Sequence, residues 1–196
     1  MEHCLLKELA NINAGYPFRG KVPEASAGEI VVVQMKDISP QGDIQWQSCI
    51  RTELENKREP DGLCPGDILV AARGNRNYAV LVDENGPKST ALAAPHFYVA
   101  RIKRQDVLPE FVVWWLNQGQ SQRYFEQSAE GTLTKSIRRT VLEEVPVALP
   151  DLATQKSIVA LARTIAKERQ TAEQLIANGE RILAAVASDL ASTKTH

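Results

Sequence analysis

The sequence predicts an α+β protein: a β-rich domain with a few short helices over residues 1–150, followed by a long C-terminal coiled-coil-like helix over 151–196. Three observations predict it. Short runs of β-branched residues, bounded by Gly, Pro, Asn and Asp, recur through the first hundred residues, as half-buried strands and their turns require. After Pro109 the apolar spacing becomes helical. From Gln155 to Leu190 there is no proline, and apolar residues recur in alternating steps of three and four. With 196 residues, 43% hydrophobic and 24% charged, the chain suffices for one folded domain and an appended element, not for two full-sized domains.

Each element follows in order. Between Cys4 and Ile12 the spacing of Leu5, Leu6, Leu9, Ala10 and Ile12 predicts one or two helical turns, and Gly15, Pro17, Gly20 and Pro23 then impose a loop or edge strand. Glu29–Ser39 reads as a central strand that ends at Lys36–Asp37, before the Pro40–Gly42 turn. The stretch from Gln47 to Pro65 is polar and acidic and leads into a turn at Pro65–Asp67. Ile68–Ala72 and Tyr78–Val82 are strands joined as a hairpin through Arg73-Gly74-Asn75-Arg76-Asn77. After a turn at Asn85–Thr90 extended structure resumes to Ile102, with Pro95 marking an edge or an interruption.

Phe111, Val112, Trp114, Trp115 and Leu116 predict a helix, Gly119 interrupts it, and Tyr124 and Phe125 lie on a second. All these aromatics read as core. Ser128–Thr140 is a polar loop, Val141–Pro150 holds a short apolar run, and Pro150–Asp151 looks like a helix start. The stripe that follows comprises Ile158, Leu161, Ile165, Ala172, Leu175, Ile182 and Val186, with Glu168 and Gly179 on the same seam. Glycine costs about 1 kcal/mol against alanine in a helix, so Gly179 leaves a bend or a break open there. A helix of about 36 residues would extend roughly 54 Å, more than a compact domain needs for itself. The stripe is expected to pack on another chain or on a second copy of this one.

Composition narrows the function. A net charge of -1 and a pI of about 6.3 exclude a uniformly basic nucleic-acid binder, and leave room for a local cationic surface offset by Glu53, Glu55, Glu59, Asp61, Glu143 and Glu144. Three cysteines without a Cys-x-x-Cys pair predict a reducing compartment, with neither a disulfide framework nor a zinc site. The N-terminus lacks the pattern of a signal peptide, and no eighteen-residue apolar run occurs, so a cytoplasmic protein with no membrane association is expected.

Chemistry-bearing motifs give no catalytic centre. "GPKST" has Pro87 where a phosphate loop needs its second glycine, and no dinucleotide-binding glycine pattern, nucleophile elbow or His-Glu-x-x-His occurs. His3, His96 and His196 are scattered. "ELENK" precedes Pro60–Asp61, the reverse of a metal-dependent nuclease order, and there is no Asn/Asp-Pro-Pro-aromatic segment of a base methyltransferase. The expectation is a chain with no catalytic residue, no metal and no cofactor.

What remains is two polar, cationic turns on a β scaffold. Arg73, Asn75, Arg76 and Asn77 lie in one, Lys135, Arg138 and Arg139 in the other. Arginine pairs with guanine or phosphate and asparagine with adenine, so these residue types read base edges and hold a DNA backbone, although arginines in turns are often merely solvated. Lys36, Arg19 and Lys21 are further candidates for phosphate. Gly66, Asp67 and Gly74 read as turn-shaping residues, and Pro150 and Gln155 as parts of the helix start.

Several stretches resemble, in order, the DNA specificity subunits of type I restriction-modification systems: "LKELANINAGYPFRG", "MKDIS", "GDILVAARGNRNYAVLVDE" and "SIRRTVLEEVPVALPDLATQKSIVALA" with the helix after it. The most specific piece is Leu149-Pro150-Asp151-Leu152-Ala153-Thr154-Gln155-Lys156-Ser157-Ile158, which is similar to the family's entry into its coiled-coil spacer. The resemblance implies a half-length form, with one target recognition domain and one spacer helix where full family members carry two of each. It implies a non-catalytic subunit whose partners are double-stranded DNA, a methyltransferase (modification) subunit and, further, the restriction subunit. A homodimer through the helix would rebuild a bipartite reader of a palindromic target. The alternative is an assembly factor that keeps the fold and binds the modification subunit without reading DNA.

Overall fold

The computed structural model describes residues 2–18, 20–54, 60–74, 76–131 and 135–192. Along the chain the described strands are β1 (Glu2–Leu5), β2 (Ala10–Ala14), β3 (Ile30–Val33), β4 (Ile50–Thr52), β5 (Ile68–Ala71), β6 (Ala79–Leu81), β7 (Ala91–Ala93), β8 (Phe97–Ile102) and β9 (Pro146–Leu149). The helices are α1 (Leu6–Leu9), α2 (Pro109–Leu116), α3 (Gly119–Ser128), α4 (Arg139–Glu143) and α5 (Leu152–Ser192). The α+β class with a long C-terminal helix is what the sequence predicts.

Two units divide the chain, Met1–Ser157 and Ile158–His196. In the first, β2-β8-β5-β6 make a four-stranded antiparallel sheet, and β4-β3-β7 a second sheet in which β3 runs parallel to β7. β1 and β9 form a third, antiparallel pair. Between the first two sheets, Val33, Leu69, Ala71, Val80, Ala93 and Phe97 pack into one core cluster. On the other side of β3, Val32 packs with Val22 and Ala94, as the two-residue period of a strand dictates. Every residue of β5 is fully buried, so Ile68 and Val70 are covered on the face opposite Leu69 and Ala71. This buried strand carries the cationic turn at its end.

Several expectations change, among them the central strand expected over Glu29–Ser39, which spans only Ile30–Val33 before a 3-10 turn at Met35–Asp37. The helix expected over Cys4–Ile12 is a single turn, because Glu2–Leu5 pairs with β9 and Ala10–Ala14 with β8. Long-range strand pairing outweighs local apolar spacing there, and Leu6 and Leu9 are fully buried in the turn between. The polar stretch from Gln47 contains β4, which pairs with β3 through Ile50, Arg51 and Thr52. Trp114, Trp115 and Tyr124 are half-buried, whereas Phe111 and Phe125 are core. Finally, α5 runs unbroken through Gly179, where the sequence leaves a bend or a break open. A single exposed glycine costs too little to interrupt forty-one helical residues.

The second unit consists of α5 from Ile158 onward. Leu161, Ile165, Leu175, Ile182 and Val186 are exposed along it, each at 50% or more, as are Ile176, Leu183 and Leu190 beside them. No described helix is long and apolar enough to cross a membrane. At the helix start, the Thr154 backbone N–H donates to Asp151 Oδ1 at 2.8 Å, and this bond holds the Asp151 carboxyl below the usual carboxylate range.

Candidate nucleic-acid interface

The β5–β6 hairpin closes through Ala71 and Tyr78, whose backbone N–H and C=O bond at 2.9 Å. At its tip Gly74 has a φ of 120°, a conformation that L side chains rarely adopt, and a Cβ there would press on Met35 Cε at 3.2 Å. Asn77 is 6% exposed, and its amide donates to the Ala71 carbonyl at 2.7 Å. This placement departs from the expectation for Asn77 as a DNA contact: the residue is buried, and its side-chain amide donates inside the hairpin. Arg73 and Arg76 are exposed on either side. Asn75 and Arg19, also expected at the interface, lie outside the described residues, as does His196.

The second cationic segment is joined to the first by backbone bonds. Gly74 N–H donates to Lys135 C=O at 3.1 Å, and Ile137 N–H to Ala72 C=O at 2.9 Å. Ser136 and Glu130 exchange two bonds of 2.9 Å. Buried Ile137 anchors it, and Tyr98 Oη of β8 donates to the Ile137 carbonyl at 3.1 Å. Arg73 and Ser136 form an isolated antiparallel bridge. Residues sixty apart in sequence thus make one rim, with the exposed side chains of Arg73, Lys135, Arg138 and Arg139 along it.

Electrostatics distinguish these cations. Arg138 pairs with Glu130 at 2.8 Å and Arg139 with Glu143 at 3.1 Å, all four well exposed except Glu143. Such solvated pairs are worth at most about 1 kcal/mol, so a phosphate can displace them. Among the described residues no side-chain bond is made by Arg73, Lys135 or Lys36. Lys36 is exposed in the 3-10 turn Met35–Asp37, next to Met35, whose Cε would meet a Cβ on Gly74. Lys21 is exposed beside Val22 of the second core cluster and is not part of the paired loops.

Two amides that the sequence reading missed hold the hairpin in place. Asn117, at the end of α2, donates to Ala79 C=O at 2.8 Å and accepts from Ala79 N–H at 3.1 Å, imitating a neighbouring strand on the edge of β6. Gln122 of α3 donates to Asn77 C=O at 2.8 Å and accepts from Arg76 Nε at 3.3 Å. A glutamine or asparagine on a helix carries no sequence signal for this role. Asn117→Ala leaves the buried Ala79 amide group unpaired, so a loss of about 2–3 kcal/mol in urea unfolding is expected. A change below about 0.5 kcal/mol would show that Asn117 does not hold the hairpin in place.

A separate cleft of about 920 Å³ lies between β2 and the Asp61–Leu63 segment, lined by Asn11, Asn13, Tyr16, Asp61, Leu63 and Arg101 among others. Arg101 is held there by buried Asp67, at 2.8 Å from both Nε and Nη2, and by Asp61 at 3.2 Å. These bonds raise its pKa further above the ordinary range. Asp67 also accepts from the Cys64 N–H, so the residue shapes the turn before β5, in which Gly66 has a φ of 90°. The described residues contain no group of His, Cys, Asp and Glu able to hold a metal ion.

Residues 1–177 match the family model described as the type I restriction modification DNA specificity domain. Comparison with curated protein sequences finds no match. Among solved structures, the S subunit of a type I restriction-modification system from M. genitalium is 14% identical, with a TM-score of 0.59 over 99% of this chain and 46% of that one. The HsdS subunit from Thermoanaerobacter tengcongensis is 18% identical, with a TM-score of 0.65 over 94% and 47%. A chain from a structure of the assembly and conformational transition of a type I R-M system is 19% identical, with a TM-score of 0.71 over 100% and 50%. The chain therefore spans about half the length of the structures it matches. At these identities the likeness speaks to the fold.

Proposed function

The chain belongs to the family of type I restriction-modification DNA specificity domains, and from that premise we propose that it is a non-catalytic DNA-recognition subunit. Residues 1–150 act as the target recognition domain and read one half-site. Residues 151–196 act as a spacer and dimerisation helix that joins two such domains, so that the pair recognises a bipartite target. An adenine methyltransferase (modification) subunit is recruited alongside, with the restriction subunit as a further partner.

The observation that carries this reading is the joining of two cationic loops on the rim of the β5–β6 hairpin. Phosphate contacts position a protein on DNA and base contacts specify the sequence. Arg73, Arg76, Lys135, Arg138 and Arg139 are assigned to the DNA, with Lys36 at the margin, while Lys21 and Arg19 are weaker phosphate contacts. Asn75 completes the base-reading set, and Asn77 holds the turn. Ile158, Leu161, Ile165, Ala172, Leu175, Ile182 and Val186 form the seam between helices.

A specific observation favours the second reading, in which the protein binds the modification subunit without reading DNA: Arg138 and Arg139 already have acidic partners. Salt titration separates the two. Each phosphate contact contributes roughly 0.9 to the slope of log affinity against log salt, so four phosphate contacts, with Arg76 on a base, predict a slope of roughly -3 to -4. A base-contacting arginine such as Arg76 should cost about 1 to 3 kcal/mol on substitution by alanine. No duplex binding, with the modification subunit present, would leave the assembly reading in possession.

A further inference from the structure

Arg73 and Arg76 share the tip of the β5–β6 hairpin, and their side chains are held differently. Arg73 is exposed and, among the described residues, makes no side-chain bond. Arg76, also exposed, donates from Nε to Gln122 Oε1 at 3.3 Å and from Nη2 to the Asn117 carbonyl at 3.4 Å. Both acceptors lie along one side of the guanidinium, its Nε–Nη2 edge. Among the described residues Nη1 makes no bond, so the end of the group, Nη1 with the second N–H of Nη2, stays open to a ligand. Gln122 is itself fixed, because its Nε2 donates to the carbonyls of Asn77 at 2.8 Å and Leu116 at 2.7 Å.

An aimed fork of donors narrows what it can read. A guanidinium has no acceptor, so its end needs two acceptors side by side in one plane. In the major groove guanine alone presents two, O6 and N7. Adenine sets an acceptor beside a donor, cytosine shows a donor, and thymine shows one acceptor beside its methyl group. A phosphate also takes an arginine, but a loosely held cation such as Arg73 or Lys135 serves it as well. Holding Arg76 in one orientation before DNA arrives reduces the side-chain freedom lost on binding. Three residues span at most about 11 Å, so Arg73 can hold a phosphate while Arg76 reaches a base edge in a groove about 12 Å wide.

We propose that Arg76 reads a guanine of the half-site through the Nη1–Nη2 end of its guanidinium, and that Gln122 is the positioning residue that aims it. The proposal rests on the function given above and deepens it by naming a base.

Enrichment from a random duplex library, by the full chain with a type I modification subunit, reads the preference at each position. The parent should select guanine at one position of the half-site. Arg76→Ala should lose about 5- to 100-fold of the discrimination there and keep the other positions. Arg76→Lys, which keeps the charge without the fork, should lose most of it too. Gln122→Met keeps the volume, removes the acceptor for Arg76 Nε, and should lower the same preference several-fold; if it does not fold, Arg76→Lys carries the test. Leu69→Ala, a core variant, should weaken binding to all sequences alike. A guanine analogue with carbon in place of N7 at the selected position should weaken the parent and leave Arg76→Ala unaffected. An Arg76→Ala chain that binds more weakly with every preference intact would make Arg76 a phosphate contact, overturning the proposal and leaving the proposed function standing. A parent that selects a half-site without guanine would do the same. Unchanged preference in Gln122→Met, or an equal loss in Leu69→Ala, would overturn the positioning role. A parent that selects no sequence would overturn both the proposal and the proposed function.

Discussion

A chain carrying Arg73→Ala, Lys135→Ala and Arg138→Ala should keep its fold and bind duplex DNA about 100-fold more weakly or worse at low salt, with a salt slope shallower by about 2 to 3. The three side chains are exposed, and the loops they occupy are held by backbone bonds, by buried Ile137 and by Tyr98. Their removal therefore leaves the scaffold intact. Arg138 adds a second effect, since its loss exposes Glu130, with which it pairs at 2.8 Å, as an uncompensated anion on the rim. The converse variant, Glu130→Gln, should strengthen binding by several-fold or less, in keeping with an exposed pair. A triple variant with the parent's affinity and slope would place the DNA elsewhere on the molecule.

The second large effect concerns the helix. Leu175→Glu with Ile182→Glu should convert a dimer to a monomer, because the two side chains, 66% and 64% exposed in the chain alone, would be buried four times over in a two-fold pair. Burying each is worth about 1.5–3 kcal/mol, so the four together contribute about 6–12 kcal/mol, and their loss weakens association by at least roughly 10⁴-fold. Light scattering over a range of concentrations reads the outcome, and circular dichroism checks that residues of the first unit still fold. A parent that is monomeric throughout would refute a homodimer and require the second helix to come from another chain.

The sequence and the structure agree where one physical signal dominates. β-Branched runs between turn residues located β3, β5 and β6, and the three-four spacing located α5, because neither depends on a distant partner. The N-terminal strands were hidden for the opposite reason: Glu2–Leu5 and Ala10–Ala14 become strands only by pairing with residues more than eighty positions away. Asn77 shows the same limit at the site. Its type and its place in a turn suggest a base contact, while its burial depends on the Ala71 carbonyl and on Gln122 behind it. The joining of Arg73 to Lys135 and Arg138 was legible only as two separate cationic turns, since backbone bonds between Gly74, Lys135, Ala72 and Ile137 leave no mark in composition.

The central claim is that this chain reads one half-site and pairs to read two. Enrichment of duplexes from a fully random library, by the chain with a type I modification subunit, tests it most directly. Two identical half-sites in inverted orientation at one fixed separation are expected. Enrichment of a single undivided site, of two unlike halves, or of no sequence would contradict it.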